Sequence, residues 1–251
     1  MSKTVRVWAN VGTILAAFWL MTFLVPEART MMLDVLASFL LGLWVTLFLW
    51  WTASRVERLR RFWRLLAAGW TIALLGNIVW GAYEMLTGQP LPYISLVDIF
   101  YLARYALLFA AFIKVMKVPA GKQWVNLITV LGASAILALA LYCASALSAH
   151  QSLTLYLAGA VYPILDMGLI YLALEIWLRP PQEALRLPLG LLALALVAYG
   201  AANWLNAYGH LIDWSAISGL ASLFWPLSDA LTGLALLNLP CYRANPEPPA
   251  A

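Results

Sequence analysis

Eight apolar segments of similar length follow one another along the chain, separated by short polar connections. Each is close to the ~20 residues that a helix needs to cross a ~30 Å hydrocarbon core. The composition is 64% hydrophobic and only 10% charged, which leaves too little polar surface for a soluble protein. The sequence therefore predicts an all-α, polytopic integral membrane protein. The eight predicted transmembrane helices are residues 5–26, 31–52, 63–86, 97–117, 124–147, 152–178, 187–209 and 217–239.

The lysine and arginine residues test this count, because they concentrate in cytoplasmic loops. With eight helices, thirteen of the 15 basic residues fall on one side of the membrane. Arg29 alone lies on the other side, and Arg104 lies inside a helix. The pattern predicts a multi-pass protein of the cell inner membrane with both termini in the cytoplasm. It divides the chain into an eight-helix domain, residues 1–240, and a short Pro-rich tail, residues 241–251.

The helices that are predicted to run from outside to inside share a polar signature. The sixth contains Pro163 and Asp166, and the eighth contains Pro226 and Asp229, each in the order aromatic-Pro-x-x-Asp. The fourth helix opens with a looser version that contains Asp98. The helices that precede the fourth and the eighth also resemble each other, as GNIVWGAYE and YGAANWLNAYG. These similarities predict weak internal helix-hairpin repeats, and such repeats often frame a binding site at their junction.

A charged side chain, Arg104, lies inside the fourth predicted helix, about 12 Å below the outer face at 1.5 Å per residue. Arginine stays charged in proteins, so this side chain needs a carboxylate, several carbonyls or a ligand. The candidate carboxylates are those of Asp34, Glu84, Asp166 and Asp229. Helix side chains lean toward the N-terminus, which is outward here, and this favours the shallower acids. A structural ion pair and an anion-binding role are both open at this stage.

Most other polar groups of the predicted helices collect in the outer half of the membrane. The two deeper acids, Asp166 and Asp229, lie about 20 Å below the outer face. They have two interpretations, hydrogen bonding between helices or acid–base chemistry, and their protonation state stays open. We predict a polar and aromatic pocket in the outer half. Its candidate ligand-binding residues are Arg104, Asp98, Asp166, Asp229, Glu84, Asn77, Asn203, Tyr101 and Trp80.

The sequence contains no signature of a metal or nucleotide site, and it assigns no catalytic residue. The two histidines, His150 and His210, are predicted on separate outer loops, and the two cysteines, Cys143 and Cys241, near opposite membrane faces. The net charge of +4 is explained by the topology and does not indicate a nucleic-acid partner. The cofactor is therefore unknown, with a lipid or pigment as the candidate ligand.

The stretch WGAYEMLTGQPLPYISLVDIFYLARYALL resembles part of the multi-helix membrane sensor modules of bacterial signalling proteins. Those modules precede diguanylate cyclase, EAL or histidine kinase domains and carry the pattern Pro-Ser-x-x-Asp-x-x-Tyr-Leu. Ser95, Asp98, Tyr101 and Leu102 stand at its last conserved places. The stretches AVYPILDMGLI and LFWPLSDALTGLA resemble the closing helices, so the resemblance covers about residues 63–239. It departs from the family because no output domain follows, which implies a separate signalling protein or a place in a membrane complex.

Three functions fit these observations. The first is a non-enzymatic membrane module, sensor-like or an accessory subunit, that binds a small ligand, lipid or pigment. The second is an intramembrane lipid-modifying enzyme, lysoplasmalogenase-like, with Asp166 and Asp229 as acid and base. The third is a small-solute or proton-coupled transporter whose repeats move against each other. The expected partners are the lipid bilayer and a protein of a membrane complex or of signalling output.

Overall fold

The computed structural model describes most of the chain from residue 27 to residue 239. The backbone is described for residues 27–57, 59–89, 91–92, 95–116, 120–149, 153–211 and 215–239. Within these ranges, the structure describes the backbone alone at residues 27–38, 120–123, 142–149, 153–159, 210–211 and 215–219. The predicted helix at 5–26 and the predicted tail at 241–251 lie outside the described residues, as do the side chains of Asp34, His150 and His210.

The described residues form seven long α-helices and no strand, which confirms the all-helical class. Each helix coincides with one of the predicted segments from 31–52 onward, to within a few residues at either end. A short 3₁₀ turn, Glu183–Leu185, precedes the sixth helix. The helices are α1 (Glu27–Arg55), α2 (Arg60–Thr87), α3 (Val97–Val115), α4 (Ala120–Ala149), α5 (Leu153–Leu178), α6 (Arg186–Leu211) and α7 (Ser215–Leu237).

Five of these helices, α2 and α4 to α7, are long and apolar enough to cross a membrane, as judged by length and composition. This agrees with a helical membrane protein. The helix α3 is shorter, with 19 residues, and carries Asp98, Arg104 and Lys114. Asp98 lies in its first turn, Arg104 in its middle and Lys114 in its last turn, so the helix is less apolar than its length alone suggests.

Six of the helices form a closed ring. Each contacts the next in the order α1, α2, α3, α5, α6 and α7, and α7 returns to α1. The helix α4 stands outside the ring and packs on α5. A ring of six helices has a central space that either side chains or a ligand must fill.

Apolar side chains fill the ring at the end where α2 begins and α3 ends. Phe62 and Trp63 are fully buried there, and Phe112 of α3 meets Phe62 edge to face with ring centroids 5.4 Å apart. Leu172 and Leu189, from α5 and α6, belong to the same cluster. Close packing of this kind holds helices together where lipid is the solvent. The ring is therefore solid at this end, and its polar residues lie toward the other.

Candidate functional site

A cavity of about 540 Å³ occupies the ring beyond this apolar end. Residues from all six ring helices line it. Along α2 it reaches from Glu84, beside the α2–α3 connection, to Trp70, which is about 20 Å at the helical rise. Its volume lies within the range of small-molecule sites in proteins.

The structure brings eight of the nine predicted site residues together around this cavity. The ninth, Asp166, does not line it and lies behind Asn203, to which it is hydrogen-bonded. The eight that line it are Asn77, Trp80, Glu84, Asp98, Tyr101, Arg104, Asn203 and Asp229.

Arg104 lies at the deep end of the cavity between two aromatic rings. Its guanidinium carbon is 4.6 Å from the centroid of the Trp70 ring on α2 and 4.1 Å from that of Tyr199 on α6. Gly69 has no side chain, and a Cβ atom there would lie 3.7 Å from Arg104 Cγ, so α2 leaves room for the arginine stem. The two rings cover the faces of the guanidinium and provide cation–π attraction.

The expectation that Arg104 pairs with a shallow acid is wrong for the acid whose side chain is described, Glu84. Glu84 Oε1 instead accepts a hydrogen bond from the backbone N–H of Leu91, at 3.3 Å. In the described part of the chain, the salt bridges within 4.0 Å are three pairs of residues three or four positions apart in the sequence, and none includes Arg104. The aromatic rings hold the guanidinium against Trp70, which is about 20 Å along α2 from Glu84 at the mouth.

The Nε–H donor of Arg104 has no hydrogen-bond partner among the described residues, although only 4% of the residue is exposed. The acids that act on it electrostatically are the deeper ones, Asp229 and Asp166. Their carboxylates lie beyond 4.0 Å from the guanidinium nitrogens, so Arg104 and Asp229 both line the cavity without forming an ion pair with each other.

Asp166 belongs to a hydrogen-bonded network that joins α3, α5, α6 and α7. Tyr105 donates its hydroxyl to Asp166 Oδ1 at 2.6 Å, and Asn203 donates its amide to Asp166 Oδ2 at 2.8 Å. The Asn203 amide also contacts the Tyr105 hydroxyl at 3.0 Å, and Trp225 Nε1 donates to Asn203 Oδ1 at 3.1 Å. Both carboxylate oxygens of Asp166 are thus occupied, and the network forms a rigid wall of the cavity.

Asp229 on α7 is placed differently from its counterpart in the aromatic-Pro-x-x-Asp pair. One oxygen, Oδ1, accepts a hydrogen bond from Trp70 Nε1 at 3.0 Å. The other, Oδ2, lies near Gly42 of α1, where a Cβ atom would be 3.7 Å away. Asp229 therefore keeps an oxygen for a ligand, and Trp70 links it to Arg104 by touching both.

Asp98 caps the start of α3 at the mouth of the cavity. The Ser95 backbone N–H donates to Asp98 Oδ2 at 2.7 Å, and Ser95 Oγ accepts from the Val97 N–H at 3.3 Å. This reciprocal pair is a capping box, which satisfies free donors of the first helical turn. Asp98 Oδ1 also accepts a short hydrogen bond from the hydroxyl of Tyr162 on α5. The Ser-x-x-Asp pattern therefore has a structural role here.

Asn77 and Tyr101 form a further link across α2 and α3, since the Tyr101 hydroxyl donates to Asn77 Oδ1 at 2.7 Å.

Sequence reasoning missed five residues that shape the site. A signal was present on α2, where Trp70, Asn77 and Glu84 are spaced by seven residues and so share one face. The missed residues are Trp70, Tyr105, Tyr162, Tyr199 and Trp225.

No protein-family model, curated protein or solved structure matches the chain. Among the described residues there is also no group of three or more histidine, cysteine, aspartate or glutamate side chains that could hold a metal ion. The described lining of the cavity offers one guanidinium, three carboxyl groups, amides and aromatic rings. Together these can bind a molecule with a polar head and an apolar or aromatic body.

Proposed function

We propose that this protein is a non-enzymatic integral membrane module that binds a small ligand, lipid or pigment in the cavity of its helical ring. The observation that carries the proposal is Arg104, a buried cation that lines the cavity, with a free donor and no carboxylate within 4.0 Å among the described residues. A buried charge without a carboxylate partner is costly, and charged groups within membrane helices usually serve a function. A ligand that accepts a hydrogen bond from Arg104 would supply the missing partner.

The module acts as a sensor or as an accessory subunit of a larger membrane complex in the bacterial inner membrane, with both termini cytoplasmic. Its resemblance to membrane sensor modules supports this role, as does the distribution of its basic residues. In either role, ligand occupancy changes how the ring packs, and a separate protein responds to that change.

The intramembrane enzyme is less well supported. An acid–base pair needs two carboxyl groups in reach of one substrate. Asp166 does not line the cavity, and Tyr105 and Asn203 occupy both of its oxygens. Asp166→Asn and Asp229→Asn variants would separate the two functions, because an enzyme of this kind loses lipid turnover in both.

The test is purification from native membranes in a mild detergent, followed by native mass spectrometry. We expect the wild-type chain to carry a bound small molecule and the Arg104→Gln variant to lose it. Arg179→Gln is the matched control, because Arg179 is exposed and forms only a helical-turn salt bridge with Glu175. A wild-type chain that is isolated empty, with no partner protein, would contradict the proposal.

A further inference from the structure

We infer that the cavity takes an uncharged, single-chain amphiphile, whose head group carries both a hydrogen-bond acceptor and a donor, as in an amide or alcohol. The inference rests on the proposed ligand-binding function and specifies its ligand. The head would lie between Arg104 and Asp229 at the deep end of the cavity. The chain would leave the ring at the seam between α3 and α5.

The charges of the cavity argue against an anionic head. Arg104 is the only basic side chain in the described lining, whereas Glu84, Asp98 and Asp229 are acidic. Asp166 adds a further carboxyl group behind the wall, and both Asp166 and Asp229 act electrostatically on Arg104. An anionic head would add negative charge to a single guanidinium that already faces two acids. In a site shielded from water, such an excess is strongly unfavourable.

The hydrogen-bonding groups that lack a partner define the head more closely. Arg104 Nε–H is a donor without a partner among the described residues, so the head must offer an acceptor. Asp229 uses Oδ1 for Trp70, and Oδ2 has no described donor, so the head must also offer a donor. A primary amide or a hydroxyl group presents both functions within a few ångströms. A bare hydrocarbon or a quaternary ammonium group presents neither.

The path of the chain follows from two residues that both line the cavity and lie on the outside of the ring. Leu102 of α3 is 40% exposed and Val161 of α5 is 38% exposed. Among the neighbouring pairs of the ring, α3 and α5 make the least contact. This seam is therefore the apolar route by which the hydrocarbon chain would pass from the cavity to the surface that we propose faces lipid.

Four probes test the inference on the purified chain in detergent. Oleamide, oleate and oleylamine share one hydrocarbon chain and differ in head charge, and propionamide has the amide head without the chain. The three amphiphiles are presented at equal mole fraction in the detergent. Binding is measured by native mass spectrometry and by the shift in thermal unfolding midpoint. We expect oleamide to bind the wild-type chain at least about tenfold more tightly than each of the other probes.

The Asp229→Asn variant tests whether this carboxylate disfavours an anionic head. Removing this carboxylate should raise the affinity for oleate by about tenfold and leave a neutral side chain that still accepts a hydrogen bond from Trp70. Arg104→Gln should weaken oleamide binding, and the exposed control Arg179→Gln should leave it unchanged.

The outcomes separate the inference from the function on which it rests. If oleate or oleylamine binds the wild-type chain best, or if propionamide binds as well as oleamide, the inference is overturned and ligand binding stands. The same holds if the native chain carries another ligand and none of the four probes binds. If no probe binds and the native chain is empty, the proposed function itself fails.

Discussion

The arginine at the floor of the cavity is held by two aromatic rings, and this arrangement predicts how its removal affects stability. Each desolvated cation–π contact contributes about 2 kcal/mol, whereas burying the charge costs several kcal/mol. These effects nearly cancel, so Arg104→Gln should change the free energy of unfolding of the empty protein by less than about 2 kcal/mol. The measurement is thermal unfolding in detergent without ligand, with Arg179→Gln as the exposed control. A loss well above about 3 kcal/mol would mean that Arg104 serves the fold.

Two buried tyrosines form a matched pair. The Tyr105 hydroxyl donates to Asp166 and accepts from Asn203, whereas the Tyr171 hydroxyl is buried without a partner among the described residues. Tyr105→Phe leaves buried polar atoms unsatisfied and should destabilise the protein by about 1–3 kcal/mol. Tyr171→Phe should be neutral or stabilising, because it removes a hydroxyl that makes no described bond. Chemical denaturation of both variants tests this, and equal effects would contradict the network.

At the level of single residues, the sequence predicted which polar side chains are near one another but not their partners. Arg104, Asp98 and Asn203 stand out because charged and amide groups are rare in apolar helices. Asp166 was grouped with Asp229 by their shared motif, yet only Asp229 faces the cavity. The difference depends on how α5 and α7 are rotated in the ring. That rotation is set by packing between helices, which the sequence alone does not show.

At the level of the helices, α5 approaches α3 and α4 closely at Gly168, which has no side chain. A Cβ atom at Gly168 would lie 2.8 Å from Leu131 Cδ2 on α4 and 2.9 Å from Phe109 Cζ on α3. Gly168→Ala should therefore cost about 1–3 kcal/mol through overpacking. At Gly132 of α4 no atom of the described residues lies within 4 Å of such a Cβ, so Gly132→Ala should be neutral or stabilise the helix by up to about 1 kcal/mol.

The test of this pair is the midpoint of thermal unfolding in detergent, measured for both alanine variants beside the wild-type chain. If Gly168→Ala is as stable as Gly132→Ala, α5 is not held as close to α3 and α4 as the structure gives.

The positions of the helices were predicted well from the sequence, because segment length and the charged or Pro-rich connections are local properties. Which helices are neighbours was not, since α4 has the same apolar composition as the ring helices and yet lies outside the ring.

For the whole molecule, the ring is asymmetric along its axis. One end is packed with apolar side chains around Trp63 and Phe112, and the other contains the cavity and the α2–α3 connection. In the proposed orientation the packed end lies at the cytoplasmic face, because basic residues such as Arg60 and Arg61 lie near it and the positive-inside rule favours that side. The cavity would then open toward the outer side, where the proposed ligand would enter.

This orientation predicts which connections a membrane-impermeant reagent can reach. In a Cys143→Ser, Cys241→Ser background, Gln89→Cys should react with an impermeant maleimide in intact spheroplasts, because this exposed residue follows α2 at the outer end. Glu57→Cys is the matched site, with a side chain 89% exposed between α1 and α2. It should react only after the membrane is opened or with a permeant maleimide. If only Glu57→Cys were labelled in intact spheroplasts, the orientation would be the opposite of the proposed one. Equal labelling of Gln89→Cys and Glu57→Cys would contradict a bilayer between the α1–α2 and α2–α3 connections.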